Sequence, residues 1–339
     1  MTRVVPSGSP HPSGSLDDWP LTRCHKVLPQ LTAEQVHAAL PWDALATVLA
    51  QAFTAPPQAP VRTAHAMSPA DTLLLMPAWD DRAIGIKLVT VIPTATRHGG
   101  HTVDATYLLL DRATGAPQAL LDGEALTVRR TAATSVLAAR ALSVPAPERL
   151  VIVGTGRLAP WMARAYHALM PSLRHIALWG RDERTATTLA ARLLDEGLPV
   201  SAAPRLADAV AEADIVSCVT TATSPVVHGT WLKPGAHLDL VGGFTPTMRE
   251  SDNAAVARAR IVVDHMDSAL TEAGDLIQPL ADGVITPAAI VGDLGALLRG
   301  EVLARRDAND ITLFKSVGHA LEDLAAARLA VTAQLSPGT

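Results

Sequence analysis

A glycine-rich turn at residues 154–159 is the stretch of the sequence best suited to chemistry. The spacing G-x-G-x-x-A places Gly154, Gly156 and Ala159 directly after the aliphatic run 150–153. In such a turn the first glycine permits the tight bend and the second lets a diphosphate approach bare backbone. The small third residue lets the following helix close on the strand, so that its N-terminal amides face the phosphates. The pattern predicts a dinucleotide-binding turn. Its expected cofactor contacts are Gly154, Thr155, Gly156, Arg157 and Leu158.

The residues after the second predicted strand, 175–179, bear on which dinucleotide is bound. This strand runs into Gly180 and Arg181 rather than into the Asp or Glu that usually holds the ribose hydroxyls of NAD. A guanidinium at Arg181, assisted by Arg184, suits the 2′-phosphate of NADP. In the alternative interpretation Arg181 is a solvated loop residue and Asp182 holds the ribose. We therefore favour NADPH, with NADH as the alternative. The remaining expected cofactor contacts are Gly180, Val219, Thr220 and Thr221.

Three basic residues ahead of this unit are candidates for holding an anionic substrate, namely Arg62, Lys87 and Arg130. Lys87 interrupts an aliphatic strand, where its charge costs desolvation free energy unless it faces an anion or a site. The alternative is that it points from an exposed strand face into water. Arg130 lies in the first turns of an Ala-rich helix, where the helix dipole favours acids, so an anionic ligand explains it better than helix stability does. His65 is a further candidate for lining the pocket.

Other catalytic patterns are not found in the sequence. His98 and His101 have no third ligand at a sensible spacing, so no metal site is expected. There is no G-x-S-x-G motif, no P-loop lysine and no Cys-His nucleophile pair. Hydride transfer is the chemistry that a nicotinamide cofactor would supply.

Two regions of different periodicity position these residues. Strands are expected at 71–76, 83–92 and 104–111, with a fourth ending at Leu121, followed by a long helix at 125–142. Consecutive strands without helices between them predict an antiparallel or mixed sheet in an α+β domain. From Leu150 onward strands and helices alternate, which predicts a Rossmann-type doubly wound parallel sheet.

Three parts of the chain follow from this division. Residues 1–20, rich in Pro, Ser and Gly, are expected to be a mobile extension. Residues 21–145 and 311–339 are assigned to the first domain, and residues 146–310 to the dinucleotide-binding domain. The strand-like segment 311–317 and the helix after it are therefore expected to return to the first domain.

Composition excludes several classes of protein. The 339 residues are long enough for two domains, and the net charge of −5 comes with no basic run, which argues against nucleic acid. No apolar run reaches membrane-spanning length, and the N-terminus lacks the apolar core of a signal peptide. The two cysteines, Cys24 and Cys218, lie far apart and suit a reducing compartment. A cytoplasmic protein without membrane partners is expected.

Several separated motifs resemble the ornithine cyclodeaminase/μ-crystallin family over nearly the whole chain. The matching stretches are Lys87-Leu-Val-Thr-Val, Leu121-Asp-Gly through Arg130-Thr-Ala-Ala, Gly154-x-Gly, Val241-Gly-Gly with Pro246 and Glu250, and Phe314-Lys-Ser-Val-Gly with Glu322-Asp323. The resemblance implies that Arg62, Lys87 and Arg130 bind a substrate carboxylate. It also implies a homodimer formed through the first domain, which is thus a substrate-binding and dimerisation domain.

One departure selects a branch of this family. The cyclodeaminases carry an aspartate just after the V-G-G turn, where this sequence has Phe244. A phenyl ring neither accepts a proton nor holds an ammonium by charge, so deamination with ring closure loses its base. Phe244 instead gives the substrate pocket an apolar wall.

The F-T-P-x-x-R-E motif at residues 244–250 is similar to that of the family branch that reduces cyclic ketimines. The resemblance therefore implies an NAD(P)H-dependent ketimine reductase, which converts delta-1-pyrroline-2-carboxylate to L-proline and delta-1-piperideine-2-carboxylate to L-pipecolate. The alternatives are an alanine-type L-amino acid dehydrogenase, an ornithine cyclodeaminase, and a non-catalytic, NADPH-dependent ligand-binding protein of the μ-crystallin kind.

Overall fold

The structure is a computed structural model that describes residues 27–303 and 305–335. The expected extension at residues 1–20 and Cys24 lie outside the described residues. The helices are α1 (Ala33–Ala38), α2 (Trp42–Thr54), α3 (Gly123–Leu142), α4 (Ala159–Leu169), α5 (Glu183–Asp195), α6 (Leu206–Glu212), α7 (Asn253–Arg258), α8 (Met266–Glu272), α9 (Gly274–Ala281), α10 (Leu294–Leu298) and α11 (Ala320–Leu335). None of these described helices has the length and apolar character needed to cross a bilayer.

The first domain is built on a six-stranded mixed sheet, as the run of consecutive strands predicts. Its strands are β1 (Gln30–Leu31), β2 (Thr63–Ala66), β3 (Thr72–Trp79), β4 (Ala83–Val91), β5 (Val103–Asp111) and β6 (Pro117–Asp122). The spatial order is β1-β6-β5-β4-β3-β2, and only the β1–β6 pair is parallel. The inner face packs against α3 and α11. Tyr107 and Leu109 of β5 are buried there with Met76 of β3.

The outer face of this sheet is apolar and incompletely covered. Its residues alternate with the buried ones along each strand, as the two-residue period of a strand requires. Leu88, for example, is 42% exposed. The apolar residues of this face include Leu73, Leu75, Ile84, Ile86, Leu88 and Leu108.

The second domain contains an eight-stranded sheet in which every pair is parallel, which confirms the predicted Rossmann-type architecture. Its strands are β7 (Arg149–Val153), β8 (His175–Trp179), β9 (Val200–Ala202), β10 (Ile215–Cys218), β11 (His237–Leu240), β12 (Ala259–Val263), β13 (Ile290–Asp293) and β14 (Ile311–Lys315). The order is β13-β12-β14-β11-β10-β7-β8-β9. The chain runs outward from β7 through β8 to β9, then returns to place β10 on the other side of β7. Ligands of such sheets bind at the carboxyl ends of the strands at this switch point.

One expectation about the C-terminal segment differs from the structure. Residues 311–317 were expected to return to the first domain, but β14 lies inside the second sheet, between β11 and β12. An aliphatic strand buried on both faces has the same sequence pattern in either sheet, so periodicity does not distinguish them. Only α11 returns to the first domain, where it packs on α2, α3 and the inner face of the first sheet.

Helix α3 connects the two domains and is buried along most of its 20 residues. Its N-cap is Asp122, whose carboxylate accepts a hydrogen bond from the backbone N–H of Ala125 at 2.8 Å. Arg129 stacks on Trp42, with its Cζ 3.6 Å from the ring centroid, and lies 5.4 Å from that of Trp161. This contact joins α2, α3 and α4 across the domain boundary. Helix α3 thereby holds Arg130 in a fixed position beside the second sheet.

Candidate active site

The glycine turn after β7 has the geometry of a phosphate-binding loop. Gly154 has a φ of +124°, and a Cβ there would lie 2.8 Å from the carbonyl oxygen of Val219. Only glycine meets both restrictions, which explains the first glycine of the motif. A Cβ on Gly156 would meet nothing within 4 Å. The space over this backbone therefore fits a diphosphate lying at the N-terminal end of α4.

A basic cavity of about 490 Å³ adjoins this turn. It is lined by Gly156 and Arg157 of the turn and by Arg184, Thr185 and Arg192 of α5, among other residues. Arg181 is exposed and does not line the cavity. Three guanidinium groups around one cavity suit a bound phosphate.

Asp182, the alternative ribose ligand, acts as the N-cap of α5. Its Oδ1 accepts hydrogen bonds from the backbone N–H groups of Arg184 at 2.9 Å and Thr185 at 3.3 Å, and its Oδ2 accepts one from the Thr185 hydroxyl at 3.1 Å. These bonds from Thr185 and Arg184 lower the pKa of Asp182. Both carboxylate oxygens therefore already accept hydrogen bonds from α5.

A buried network fixes the loops that follow β10 and β11. Glu250 accepts hydrogen bonds from the backbone N–H groups of Thr220 and Gly242, both at 2.7 Å, and from the Thr220 hydroxyl at 2.9 Å. Asp275 in turn accepts from the backbone N–H of Glu250 at 2.8 Å and pairs with Lys315 at 3.2 Å. The loop at Thr220, which is expected to border the cofactor, is thus fixed by hydrogen bonds to the buried Glu250.

The three candidate cations occupy one region, and carboxylates connect two of them directly. Asp323 of α11 lies between Lys87 and Arg130: its Oδ2 is 2.8 Å from Lys87 Nζ, and its Oδ1 accepts from Arg130 Nε at 3.0 Å. Glu322 accepts from Arg130 Nη1 at 2.9 Å. Lys87 is only 2% exposed and lies on the inner face of the first sheet, so the alternative that it points into water does not hold.

Burial and charge act in opposite directions on this cluster. Desolvation lowers the pKa of Lys87 to about 8 even though Asp323 opposes the shift. Burial also disfavours charge on Arg130, but Asp323 and Glu322 outweigh it and raise the pKa of this guanidinium. Burial alone would raise the pKa of Asp323, yet Arg130 and Lys87 leave it below its ordinary value. The carboxylates therefore keep two buried cations charged at neutral pH.

The loop from β14 to α11 brings these cations to the carboxyl edge of the second sheet. Arg62 Nη2 donates to the carbonyls of Val317 and Gly318, both at 2.8 Å, and lies 2.8 Å from Glu272. A Cβ on Gly318 would lie 2.7 Å from Arg130 Nη1. Arg62 and Arg130 therefore lie on either side of the same loop, next to the edge where the dinucleotide turn is found.

Two other predicted pocket residues are placed differently. His65 pairs with Leu73, on the outer face of the first sheet, whereas Lys87 lies on the inner face. The expectation that His65 lines the pocket therefore differs from the structure, because the register of β2 turns its side chain away. Phe244 follows the Gly242-Gly243 turn after β11 and is 43% exposed. It lies beside the predicted cofactor loop, and its role as an apolar wall of the substrate pocket stays a prediction.

Comparison with known proteins places the chain in a family. Residues 29–336 match the Ornithine cyclodeaminase/mu-crystallin family. The chain belongs to this family. A Delta(1)-pyrroline-2-carboxylate reductase of Colwellia psychrerythraea is 35% identical over 309 residues, which covers 89% of this chain and 98% of that protein.

Solved structures of family members have the same fold. The Thermococcus litoralis Delta(1)-pyrroline-2-carboxylate reductase in complex with NADH and L-proline superposes with a TM-score of 0.86 at 29% identity, covering 91% of this chain and 98% of that chain. An archaeal alanine dehydrogenase dimer with bound NAD gives a TM-score of 0.85 at 26% identity, covering 92% of this chain and 98% of that chain.

Five acidic residues that the sequence analysis gave no role contact the candidate site in the structure. Glu322, Asp323 and Glu272 neutralise the predicted substrate cations, and Glu250 and Asp275 hold the cofactor loops. Glu250, Glu322 and Asp323 were part of the matching motifs. The signal in the sequence was the acidic pair Glu322-Asp323 in the first turn of an otherwise apolar helix. Acidic residues at this position also interact favourably with the helix dipole, so the pair did not by itself indicate a site.

Proposed function

We propose that this protein reduces the C=N bond of cyclic ketimines that carry a carboxylate next to the imine carbon, such as delta-1-pyrroline-2-carboxylate and delta-1-piperideine-2-carboxylate. The observation that carries the proposal is the group formed by the partly buried Arg62 and the buried Lys87 and Arg130 at the carboxyl edge of the parallel sheet. The similarity to the Colwellia and Thermococcus reductases supports the same assignment.

The unused donor groups of the cluster suit a substrate carboxylate. Three cations face three carboxylates, Glu272, Glu322 and Asp323, so the formal charge of the group is zero. Hydrogen bonds engage only Nη2 of Arg62 and only Nε and Nη1 of Arg130 within the described residues. Each guanidinium therefore keeps donor groups for a ligand, and substrate binding requires no displacement of the protein carboxylates.

The protein's contribution to catalysis is placement. A reduced nicotinamide supplies the hydride when it is bound. Arg62, Lys87 and Arg130 hold the substrate carboxylate, which orients the imine carbon toward the loop of Val219 and Thr220. A protonated cyclic imine is already a strong hydride acceptor, so no base is required where the cyclodeaminases carry aspartate and this chain carries Phe244.

We further propose that NADPH is preferred over NADH. The basic cavity beside the glycine turn contains Arg184 and Arg192, and Asp182 is committed to capping α5. A 2′-phosphate gains charge-assisted hydrogen bonds there, whereas Asp182 already accepts three hydrogen bonds from α5 and keeps less accepting capacity for ribose hydroxyls. Arg181 borders this region at the end of β8 and is exposed.

The test is a side-by-side assay of NADPH and NADH oxidation with the two ketimines, with pyruvate plus ammonia, and with ornithine. We expect turnover of the ketimines and a lower KM for NADPH than for NADH. Turnover of pyruvate plus ammonia without turnover of either ring would favour an amino acid dehydrogenase, to which the alanine dehydrogenase similarity also extends. Cofactor binding without any turnover would favour a ligand-binding protein.

A matched pair of variants assigns the activity to the cluster. Arg62→Met removes a guanidinium that pairs with Glu272, and Arg149→Met removes an exposed one that pairs with Glu212 on the second domain. We expect the first change to raise the ketimine KM roughly 10- to 100-fold and to leave the NADPH KM alone, since one charge-assisted hydrogen bond is lost. The second change should alter neither value.

We also propose a homodimer formed through the outer face of the first sheet. The apolar face containing Ile86 and Leu88 is incompletely covered in the single chain, and the similar alanine dehydrogenase is a dimer. Leu88→Asp should give a monomer in light scattering coupled to size exclusion. Leu194→Asp, at a leucine 57% exposed on α5, is the control and should leave the dimer intact. A wild-type monomer at micromolar concentration would refute the proposal.

A further inference from the structure

His319 lies at the junction between β14 and α11 and is the most unusual buried side chain near the cation cluster. Its residue is 5% exposed, and its ring stacks on His265 with centroids 4.3 Å apart and an interplanar angle of 19°. Nε2 of His319 is buried and has no hydrogen-bond partner within the described residues. A buried polar atom without a partner is costly, so such an atom beside the proposed binding site is a candidate to contact the substrate.

The other polar atoms of His319 are engaged, and they fix the tautomer. Its backbone N–H donates to Glu322 Oε1 at 2.8 Å, and its Nδ1 accepts from the backbone N–H of Leu321 at 3.4 Å. Because Nδ1 acts as an acceptor, the proton of the neutral ring is on Nε2. The orphaned atom is therefore a hydrogen-bond donor.

Burial keeps this ring neutral among its charged neighbours. His265 stacks on it from the start of α8, Arg62 faces it from the segment before β2, and Glu322 and Asp323 face it from α11. Burial, with smaller contributions from His265 and Arg62, lowers the pKa of His319 to about 4, although Glu322 and Asp323 oppose the shift. The Nε2–H is thus a donor that carries no charge and does not titrate between pH 6 and 8.

The backbone places this donor beside the predicted carboxylate site. The carbonyl of Gly318, the preceding residue, accepts a hydrogen bond from Arg62 Nη2 at 2.8 Å, and a Cβ on Gly318 would lie 2.7 Å from Arg130 Nη1. His319 is consequently one residue away from a contact with two of the three cations. Its side chain is buried within the same region of the protein.

We propose that His319 is a substrate-binding residue whose Nε2–H donates a hydrogen bond to the carboxylate held by Arg62, Lys87 and Arg130. This inference rests on the proposed function. A neutral donor adds affinity for an anion without disturbing a cluster whose three cations and three carboxylates already balance. It also selects for an acceptor with lone pairs at this point, so a substrate lacking the carboxylate leaves the donor unpaired.

The test compares His319→Gln with His319→Met. These two side chains have the same length and nearly the same shape, but only glutamine carries an amide N–H that can replace Nε2–H. The probe is pyrrole-2-carboxylate, a flat five-membered ring with a carboxylate, measured as a competitive inhibitor of ketimine reduction and by calorimetry with the cofactor bound. We expect the Met variant to bind the probe at least about tenfold more weakly than wild type, and the Gln variant to bind close to wild type. The KM for NADPH should be unchanged in both.

His319→Phe separates packing from hydrogen bonding, because phenylalanine keeps the stack on His265. The Phe variant should bind the probe as weakly as the Met variant does. If the Met variant does not fold, the Phe variant takes its place in the comparison. Equal affinity in the Gln and Met variants would overturn the inference, and so would full affinity in the Phe variant. A wild-type protein that binds the probe but reduces no ketimine would refute the reductase proposal instead, and the variant comparison by calorimetry would still decide the role of His319.

Discussion

The depressed pKa of Lys87 predicts an alkaline limit to substrate binding. Burial lowers this pKa to about 8, so the ammonium is charged below pH 8 and loses its proton as the pH rises through that value. A carboxylate bound to a neutral amine loses one ion pair in a buried site. Affinity for an anionic ligand should therefore be constant between about pH 6 and 7.5 and fall above pH 8.

The magnitude follows from the fraction of charged lysine. With a pKa of about 8 in the free protein, roughly one molecule in ten carries the charge at pH 9 and one in a hundred at pH 10. The inhibition constant of pyrrole-2-carboxylate should thus rise about tenfold per pH unit above 8. This probe is preferable to the ketimine substrate, because its carboxylate does not titrate in that range and an imine nitrogen does.

Lys87→Arg is the matched control for this assay. A guanidinium keeps its charge throughout the range, so the variant should show no alkaline fall, whatever its absolute affinity. An inhibition constant that stays flat to pH 9.5 in the wild-type protein would refute the reasoning. A fall of equal steepness in the Lys87→Arg variant would show that another group causes it.

Three further predictions concern the cofactor site and the core. Gly154→Ala should lower the free energy of unfolding by about 1–3 kcal/mol, because residue 154 has a φ of +124° and faces the carbonyl of Val219. Gly156→Ala should change the free energy of unfolding by less than about 0.5 kcal/mol and raise only the KM for NADPH. Thermal melts and cofactor titrations measure these two effects. Arg184→Ala should raise the KM for NADPH more than that for NADH, and an equal rise would place the 2′-phosphate elsewhere. Burial raises the pKa of Asp239 to about 6, so the folded state favours the protonated carboxyl. Its contribution to stability, about 3 kcal/mol, is fully present below pH 4 and is lost as the pH rises through 6. Asp239→Asn should remove this part of the pH dependence in urea unfolding, and an unchanged pH profile would contradict it.

The sequence predicted the two types of sheet, though not the place of β14, because local periodicity differs between the two domains. Consecutive strands before Leu121 form the mixed sheet, and alternation after Leu150 forms the parallel one. The sequence also predicted that Lys87 faces an anion, since burying its charge in an aliphatic strand without a partner costs free energy. The structure supplies that partner in Asp323, and the role of Lys87 toward a substrate stays a prediction.

What the sequence did not specify depends on contacts between distant residues. The face on which His65 lies follows from its register with Leu73, and a shift of one residue would reverse it. The burial of Asp323 depends on Lys87 and Arg130, which are about two hundred residues away along the chain. An acid in the first turn of a helix is ordinarily solvated, so its pairing is visible only once the helix is docked.

The position of β14 has a consequence for how this protein is made. Strands β11 and β12 do not touch each other in the sheet, because residues 311–315 separate them. The second sheet is therefore complete only after residues 311–315 have been synthesised and have inserted between these two strands. A chain truncated before Ile311 leaves the edges of β11 and β12 unpaired inside the molecule. Unpaired strand edges promote aggregation, so such a truncated chain should aggregate rather than fold.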